Sequence, residues 1–428
     1  MNEEIIPAAM APTVAHKAGA VSAPTRMQRL ARRLLLERMQ RLQHGSLEVH
    51  EAGGTHRFGR REPGGLHARI EVLHPQFWAD AAFGGTTNAG EAYIHGLWRC
   101  DDLTALVRIM VANRDVLEAV DGTATRLAGL GRRLAHWLNR NSREGSRRNI
   151  SAHYDLGNDL FALFLDPTMN YSCGIFETPE ASMEQASIAK MDAVCRKLDL
   201  GPGDHLVEIG TGWGGLAIHA ARHYGCRVTT TTISREQHAL AAERVRAAGL
   251  EDRIELLLKD YRDLEGQYDK LVSVEMIEAV GHQYLDTYFR SCSRLLKPDG
   301  LMLIQAITIR DELYTAALKS VDFIQRFVFP GGFLPAVSAM TSSLARSTDL
   351  QLLHLQDIGL HYAWTLRKWR ERFFANLEAV RALGYPDSFI RLWEYYLCYC
   401  EGGFLERNIG TVQMLLAKPG NRRPSPGY

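Results

Sequence analysis

Charge of one sign, long apolar runs and patterned cysteine are all missing from this 428-residue chain, and each absence removes a class of function. Lysine and arginine number 50 against 49 aspartates and glutamates, a formal net charge of +1. No overall field therefore draws the chain to nucleic acid, and no nucleic-acid partner is expected. No apolar stretch reaches the roughly 18 residues that a membrane-spanning helix needs, so any membrane contact is expected to be peripheral. The seven cysteines, Cys100, Cys173, Cys195, Cys226, Cys292, Cys398 and Cys400, show neither metal-ligand spacing nor a disulfide framework. No metal is expected, and a reducing cytoplasm is the expected compartment. Residues 1–25 are rich in alanine and proline and lack an apolar core behind positive charge, so they read as a disordered segment rather than a secretory signal.

What is present falls into two styles. Residues 27–43 have the pattern of a basic amphipathic helix, and 45–74 alternate apolar and polar residues between glycines and prolines, as short strands do. With the segments 77–83 and 90–94 and a helical 103–120, they predict a small α+β domain over 26–122. A basic linker, 123–149, follows, carrying Arg126, Arg132, Arg133, Arg140, Arg143, Arg147 and Arg148 against Glu144 alone. It suits anionic headgroups at a membrane surface, and equally a solvated helix and linker. From 150 to 428 strands alternate with helices: strands at 206–209, 227–232, 254–259, 270–274 and 301–307, and helices at 155–164, 183–198, 215–224, 235–248 and 284–296. That order predicts a mostly parallel sheet wound by right-handed crossovers, with ligands at the strands' carboxyl ends.

The first of these strands runs straight into Gly210, Gly212 and Gly214 and then a helix. Glycines there let the backbone turn sharply and approach a ligand, with the N–H groups of the helix facing it. A dinucleotide fold, or a plain strand-to-helix turn, gives a similar pattern. Glu208 inside the turn and the bulky Trp213 set it apart, and the segment resembles the first motif of the S-adenosylmethionine methyltransferases. The second strand ends in four threonines, Thr229 to Thr232, where dinucleotide sites carry an acid. Thr232 and Gln237 can instead hydrogen-bond a neutral ligand, and Asp260 with Tyr261 is placed to hold an adenine by a carboxylate and a ring face.

Further motifs are more specific together than singly: Tyr154-Asp-Leu-Gly-Asn-Asp-Leu-Phe161, the loop from Leu165 to Phe176, Ser273-Val-Glu-Met-Ile-Glu-Ala-Val-Gly-His282, Phe329-Pro-Gly-Gly-Phe-Leu-Pro335 and His361-Tyr-Ala-Trp-Thr-Leu366. Over roughly residues 150–420 they resemble the cyclopropane-fatty-acyl-phospholipid synthases and mycolic acid cyclopropane synthases. The resemblance implies an α/β, Rossmann-like class I methyltransferase domain with a helical acyl-binding insert, behind a small α+β lipid-binding-like domain. It implies that a cis double bond of a phospholipid acyl chain attacks the methyl group of S-adenosylmethionine and that the resulting carbocation loses a proton to bound bicarbonate. The bicarbonate ligands would be Cys173, Glu278, the backbone at Ile307 and Tyr362, and Tyr154, Tyr171 and Ser172 would join the cofactor site. Where many members have a histidine, this chain has Gln305, whose amide donates a hydrogen bond but carries no proton. A cyclopropane is the expected product and a methyl- or methylene-branched chain the alternative; a lipid-binding protein that has lost the chemistry is a third reading. Leu366, Trp369, Phe373, Phe374 and Leu377 form a stripe on a helical 366–380 that reads as core first and acyl tunnel second, and 309–329 also reads as helical. Peripheral attachment to the inner face of the membrane and a homodimer are expected.

Overall fold

The computed structural model describes residues 23–114 and 156–422. Residues 1–22 of the segment expected to be disordered, the whole of the basic linker and Tyr154 therefore lie outside the described residues. The chain divides into two compact units, neither continuous in sequence: Met1–Leu138 with Lys319–Pro330 and Leu377–Asn408, and Asn139–Leu318 with Gly331–Asn376 and Ile409–Tyr428.

In the first unit, the helix Arg26–Met39 starts where Thr25 accepts a hydrogen bond from the Gln28 amide and the Gln28 side chain returns one from Thr25, a reciprocal cap that satisfies two orphan N–H groups. Strands β1 (Ser46–Glu51), β2 (Gly54–Gly59), β3 (His67–Val72) and β4 (Trp98–Cys100) form a sheet in the order β2-β1-β3-β4. The helix Gln76–Ile94 breaks at Gly85, whose φ of +65° is open to glycine at little cost. Leu103–Ala112 follows, capped by Asp102. The late helix Asp387–Leu405 belongs here too. Its Glu394 accepts from the Tyr93 hydroxyl at 2.7 Å, its Glu401 from Thr104 at 3.1 Å, and its Tyr395 ring lies 4.6 Å from Phe323 and 5.6 Å from Tyr93.

The second unit is built on a seven-stranded sheet: β5 (His205–Ile209), β6 (Arg227–Thr232), β7 (Ile254–Leu258), β8 (Tyr268–Val274), β9 (Leu296–Ile309), β10 (Gln351–Asp357) and β11 (Ile409–Ala417), in the order β10-β11-β9-β8-β5-β6-β7. The five strands from β9 to β7 are parallel; β11 pairs antiparallel with β9, and the edge strand β10 pairs antiparallel with β11 and so runs in the direction of the five. Successive side chains of a strand face opposite ways. Leu206, Val228, Val272, Leu303 and Leu415 accordingly pack with Val194, Leu216 and Ala220 of the helices Met183–Lys197 and Gly215–Tyr224. Val207, Leu271, Met302, Ile304 and Met414 pack with Tyr288, Phe289, Met340 and Leu344 of Leu285–Leu295 and Val337–Ser347. The result is the three-layer, class I methyltransferase arrangement expected. Strand order reverses at β5, between β8 and β6, which puts the ligand crevice beside the glycine turn.

Three sequence expectations change. The helix expected over 309–329 is two, Asp311–Ala317 and Phe323–Phe327, because Asp322 accepts from the Gln325 amide at 2.8 Å and starts a new turn. The stripe of 366–380 lies mainly on Gly359–Ala375, which stops at Asn376, whose side chain donates to Leu163 O at 2.8 Å. Strands β10 and β11 did not register as strands, since β10 is largely exposed and β11 carries the polar Thr411 and Gln413.

Candidate active site

At the end of β5 the backbone turns through Gly210, Gly212 and Gly214, with φ of +104°, +53° and +83°. The amides of Gly210 and Thr211 both donate to Thr231 O on β6, at 3.0 and 3.1 Å, tying the turn to its neighbour. Apart from its two chain neighbours, no other residue comes within 4 Å of where a Cβ on Gly212 would sit. Glu208 is buried below the turn and accepts from the Thr230 hydroxyl at 2.6 Å; burial pushes its pKa up to about 7, against the pull of that hydrogen bond and of Lys190. Trp213 donates its indole N–H to Asn158 at 2.7 Å and packs 5.0 Å from Phe161.

The other expected cofactor residues lie along the same carboxyl edge. Thr232 donates to the Gln237 side chain at 2.9 Å, so the two orient each other. Asp260 stands at the end of β7, and its carboxylate accepts from the Arg262 guanidinium at 2.8 and 2.6 Å. Tyr261 packs edge-on against Tyr288 at 5.5 Å. Tyr171 lies 5.0 Å from Trp369 and 5.2 Å from Phe161, and Ser172 accepts from Lys190 Nζ at 3.1 Å. Leu366, Trp369 and Phe373 are fully buried, and Trp369 and Phe373 pack on Phe164, so these three members of the stripe are core, whereas Phe374 and Leu377 are half-buried.

Lys190 was not foreseen as a site residue. It is 1% exposed on the helix Met183–Lys197 and also donates to Asn170 at 2.8 Å. Burial drives its pKa down, while Glu275, Asp166 and Glu208 pull it up. The only sequence signal was a lysine at a core-facing position of an amphipathic helix, where an unpaired cation is too costly to occur.

Beside this cation the remaining candidates converge on another residue that was missed. Glu275, one step beyond β8, receives three hydrogen bonds: from the Cys173 amide at 2.9 Å and Gln305 Nε2 at 2.8 Å on Oε1, and from the Tyr362 hydroxyl at 2.7 Å on Oε2. Its own amide donates to Gln305 O at 2.8 Å. Burial pushes its pKa up, and these donors with Lys190 oppose the shift. Glu278 lies a turn later. Its Oε1 accepts from the Ile307 amide at 2.5 Å, its Oε2 is buried without a protein partner, and burial plus the charge of Glu275 push its pKa up to about 8. The Cys173 thiol is buried with its pKa driven well up; it donates to Gly174 O at 3.2 Å.

The structure thus brings Cys173, Gln305 and Tyr362 together around a carboxylate of the chain itself. Of the groups that the resemblance assigned to bicarbonate, the Tyr362 hydroxyl points at Glu275, as does the Gln305 amide, while the Cys173 thiol points at Gly174 O with only its backbone amide on Glu275, and the Ile307 amide is taken by Glu278. A bicarbonate does not fit this donor set.

Compared with known proteins, residues 141–414 match the family described as mycolic acid cyclopropane synthetase. The tuberculostearic acid methyltransferase UfaA1 of Mycobacterium tuberculosis is 39% identical over 78% of this chain and 80% of its own. The cyclopropane-fatty-acyl-phospholipid synthase of Escherichia coli K12 is 36% identical over 83% and 89%. Among solved structures, mycolic acid cyclopropane synthase CmaA1 complexed with SAH and CTAB shares 31% identity at a TM-score of 0.58, covering 64% of this chain and 98% of that one. This chain belongs to the mycolic acid cyclopropane synthetase family, and it is an S-adenosylmethionine-dependent lipid methyltransferase or cyclopropane synthase.

Proposed function

We propose that the protein alkylates a cis double bond in a phospholipid acyl chain. The π electrons attack the sulfonium methyl carbon, the carbon–sulfur pair leaves on sulfur as S-adenosylhomocysteine, and a carbocation forms on the neighbouring carbon. Loss of a proton from the new methyl group with ring closure gives a cyclopropane; a hydride shift followed by loss of that proton gives a methylene branch. An alkene is a weak nucleophile, so alignment with the methyl group and stabilisation of the cation dominate. The observation that carries the reading is the half-buried acid pair Glu275 and Glu278, beside a buried Lys190 whose charge acts on both Glu275 and Glu208 below the glycine turn. A nucleophilic nitrogen or oxygen needs no such field, whereas a carbocation does. Tyr171, held against Trp369, offers a ring face as well.

Attachment to an anionic membrane surface belongs to the same proposal. On Arg26–Met39, Met27 and Leu30 are 62% and 53% exposed, and Leu34 continues their face, flanked by Arg26, Arg29 and Arg33. Apolar side chains with basic neighbours suit a headgroup interface. No described helix is long and apolar enough to cross a membrane.

The test is incubation with vesicles of unsaturated phospholipid and S-adenosylmethionine, followed by mass analysis of the fatty acids. A gain of one CH2 per double bond, matched by S-adenosylhomocysteine, is expected. Bound cofactor with no gain in acyl mass would overturn the proposal.

A further inference from the structure

Glu275 is held in a way that a surface carboxylate is not. Its φ is +50°, one of four non-glycine residues with positive φ among those described. That backbone region is uncommon for a side-chain-bearing residue, and such strain persists where surrounding contacts over-determine it. Here the contacts come from three separate elements: the loop at Cys173, strand β9 at Gln305 and the helix Gly359–Ala375 at Tyr362.

The direction of the Gln305 bond is fixed as well. Lys197 Nζ can only donate, and it meets Gln413 Oε1 at 2.5 Å. Gln413 Nε2 therefore faces Gln305 Oε1, at 2.8 Å, and Gln305 Nε2 must face Glu275. All three partners of Glu275 are neutral donors, and no ion pair to it occurs among the described residues. A carboxylate has about four acceptor positions; three are taken, and one on Oε2 is left.

From this we infer that Glu275 takes the place of a bound bicarbonate and is the catalytic base, so that the enzyme needs no exogenous anion. The inference rests on the proposed alkylation of a double bond. In the step, the carbocation loses a proton to the open position of Glu275 Oε2, and the electrons of that C–H bond close the ring or the new double bond. Glu275 becomes a neutral acid, still held by its donors, and returns the proton to water when product leaves. Glu278, with its unpartnered Oε2, faces the same charge and stabilises it.

The test compares wild type, Glu275→Gln and Glu275→Gly in buffer stripped of carbon dioxide, with and without added bicarbonate. Wild type is expected to turn over at the same rate in both. Glu275→Gln is expected to lose roughly 10²- to 10⁴-fold in kcat, the usual share of a general base, with S-adenosylmethionine affinity unchanged. Glu275→Gly relieves the strained backbone and opens space among the three donors, so it is expected to be inactive alone and to regain turnover with bicarbonate. Binding of isotopically labelled bicarbonate, followed by NMR, gives a readout independent of turnover: the glycine variant binds it and wild type does not. Bicarbonate-dependent wild-type turnover, bicarbonate binding by wild type, or full activity in Glu275→Gln would overturn the inference. If wild type alkylates no lipid, the proposed function fails, and the binding comparison still decides whether Glu275 occupies the anion's place.

Discussion

Gln305 gives Glu275 a hydrogen bond of 2.8 Å and itself receives one of 2.8 Å from Gln413, its direct partner across β9 and β11. Beyond Gln413 stands Lys197, whose pKa burial lowers to about 8 and which also donates to Gln356. A buried cation at one end and a half-buried carboxylate at the other thus orient two amides head to tail. A neutral imidazole at 305 could donate to Glu275 in only one of its tautomers; the amide has a dedicated donor.

The relay makes Gln413 a positioning residue. Gln413→Leu leaves the Gln305 carbonyl and one Lys197 contact unsatisfied inside the protein, at a cost of about 1–3 kcal/mol. Urea denaturation is expected to show that loss, and kcat to fall with little change in cofactor affinity. Unchanged stability would mean that the relay is not formed.

Glu278→Gln is expected to abolish turnover while S-adenosylmethionine still binds, because the amide keeps the shape but, unlike the carboxyl, has no proton to release and no charge to develop as the cation forms. Calorimetry with the cofactor and a lipid assay separate the two effects. Retained activity in this variant would remove Glu278 from the mechanism.

Stability should fall as pH rises. The Glu278 carboxyl moves from an ordinary 4.5 to about 8 on folding, so between those values the folded protein holds a proton that the unfolded chain has released. The contribution is greatest at and below the unfolded value and is lost toward pH 8, with a slope of up to about 1.4 kcal/mol per pH unit. Thermal unfolding from pH 5 to 8 should show wild type losing more than Glu278→Gln. Parallel curves would contradict a raised Glu278.

The glycine turn predicts its own variant. At φ of +104° an alanine in place of Gly210 is strained by about 1–3 kcal/mol. Cofactor affinity is expected to fall roughly tenfold or more, since about 1.4 kcal/mol is a factor of ten. Isothermal titration measures it, and an unchanged Kd would place the cofactor elsewhere.

At the membrane, Met27→Glu combined with Leu30→Glu should weaken co-sedimentation with anionic vesicles, and added salt should weaken the wild type too. Equal binding of variant and wild type would exclude this helix as the contact.

Much of this was legible in the chain. The parallel strands and their helices follow from hydrophobic period, the positive-φ turn after β5 from Gly210, Gly212 and Gly214, and the closeness of Cys173, Gln305 and Tyr362 from short motifs. Glu275 lies inside one of those motifs and was not singled out. Its donors lie 102, 30 and 87 positions away, so nothing local marks it as their common target. Asp387–Leu405 likewise looks like any apolar helix until Tyr93 and Thr104 are seen to hold it in the first unit.

The central claim, alkylation of an acyl double bond with a base supplied by the chain, is tested most directly by a single NMR measurement. Wild-type protein is incubated, in buffer free of carbon dioxide, with S-adenosylmethionine isotopically labelled in its methyl group and with vesicles of unsaturated phospholipid. The account predicts label in a cyclopropane or methylene carbon of the acyl chain, at a rate that added bicarbonate does not change. Label on nitrogen or oxygen, or label reaching the chain only when bicarbonate is present, would contradict it.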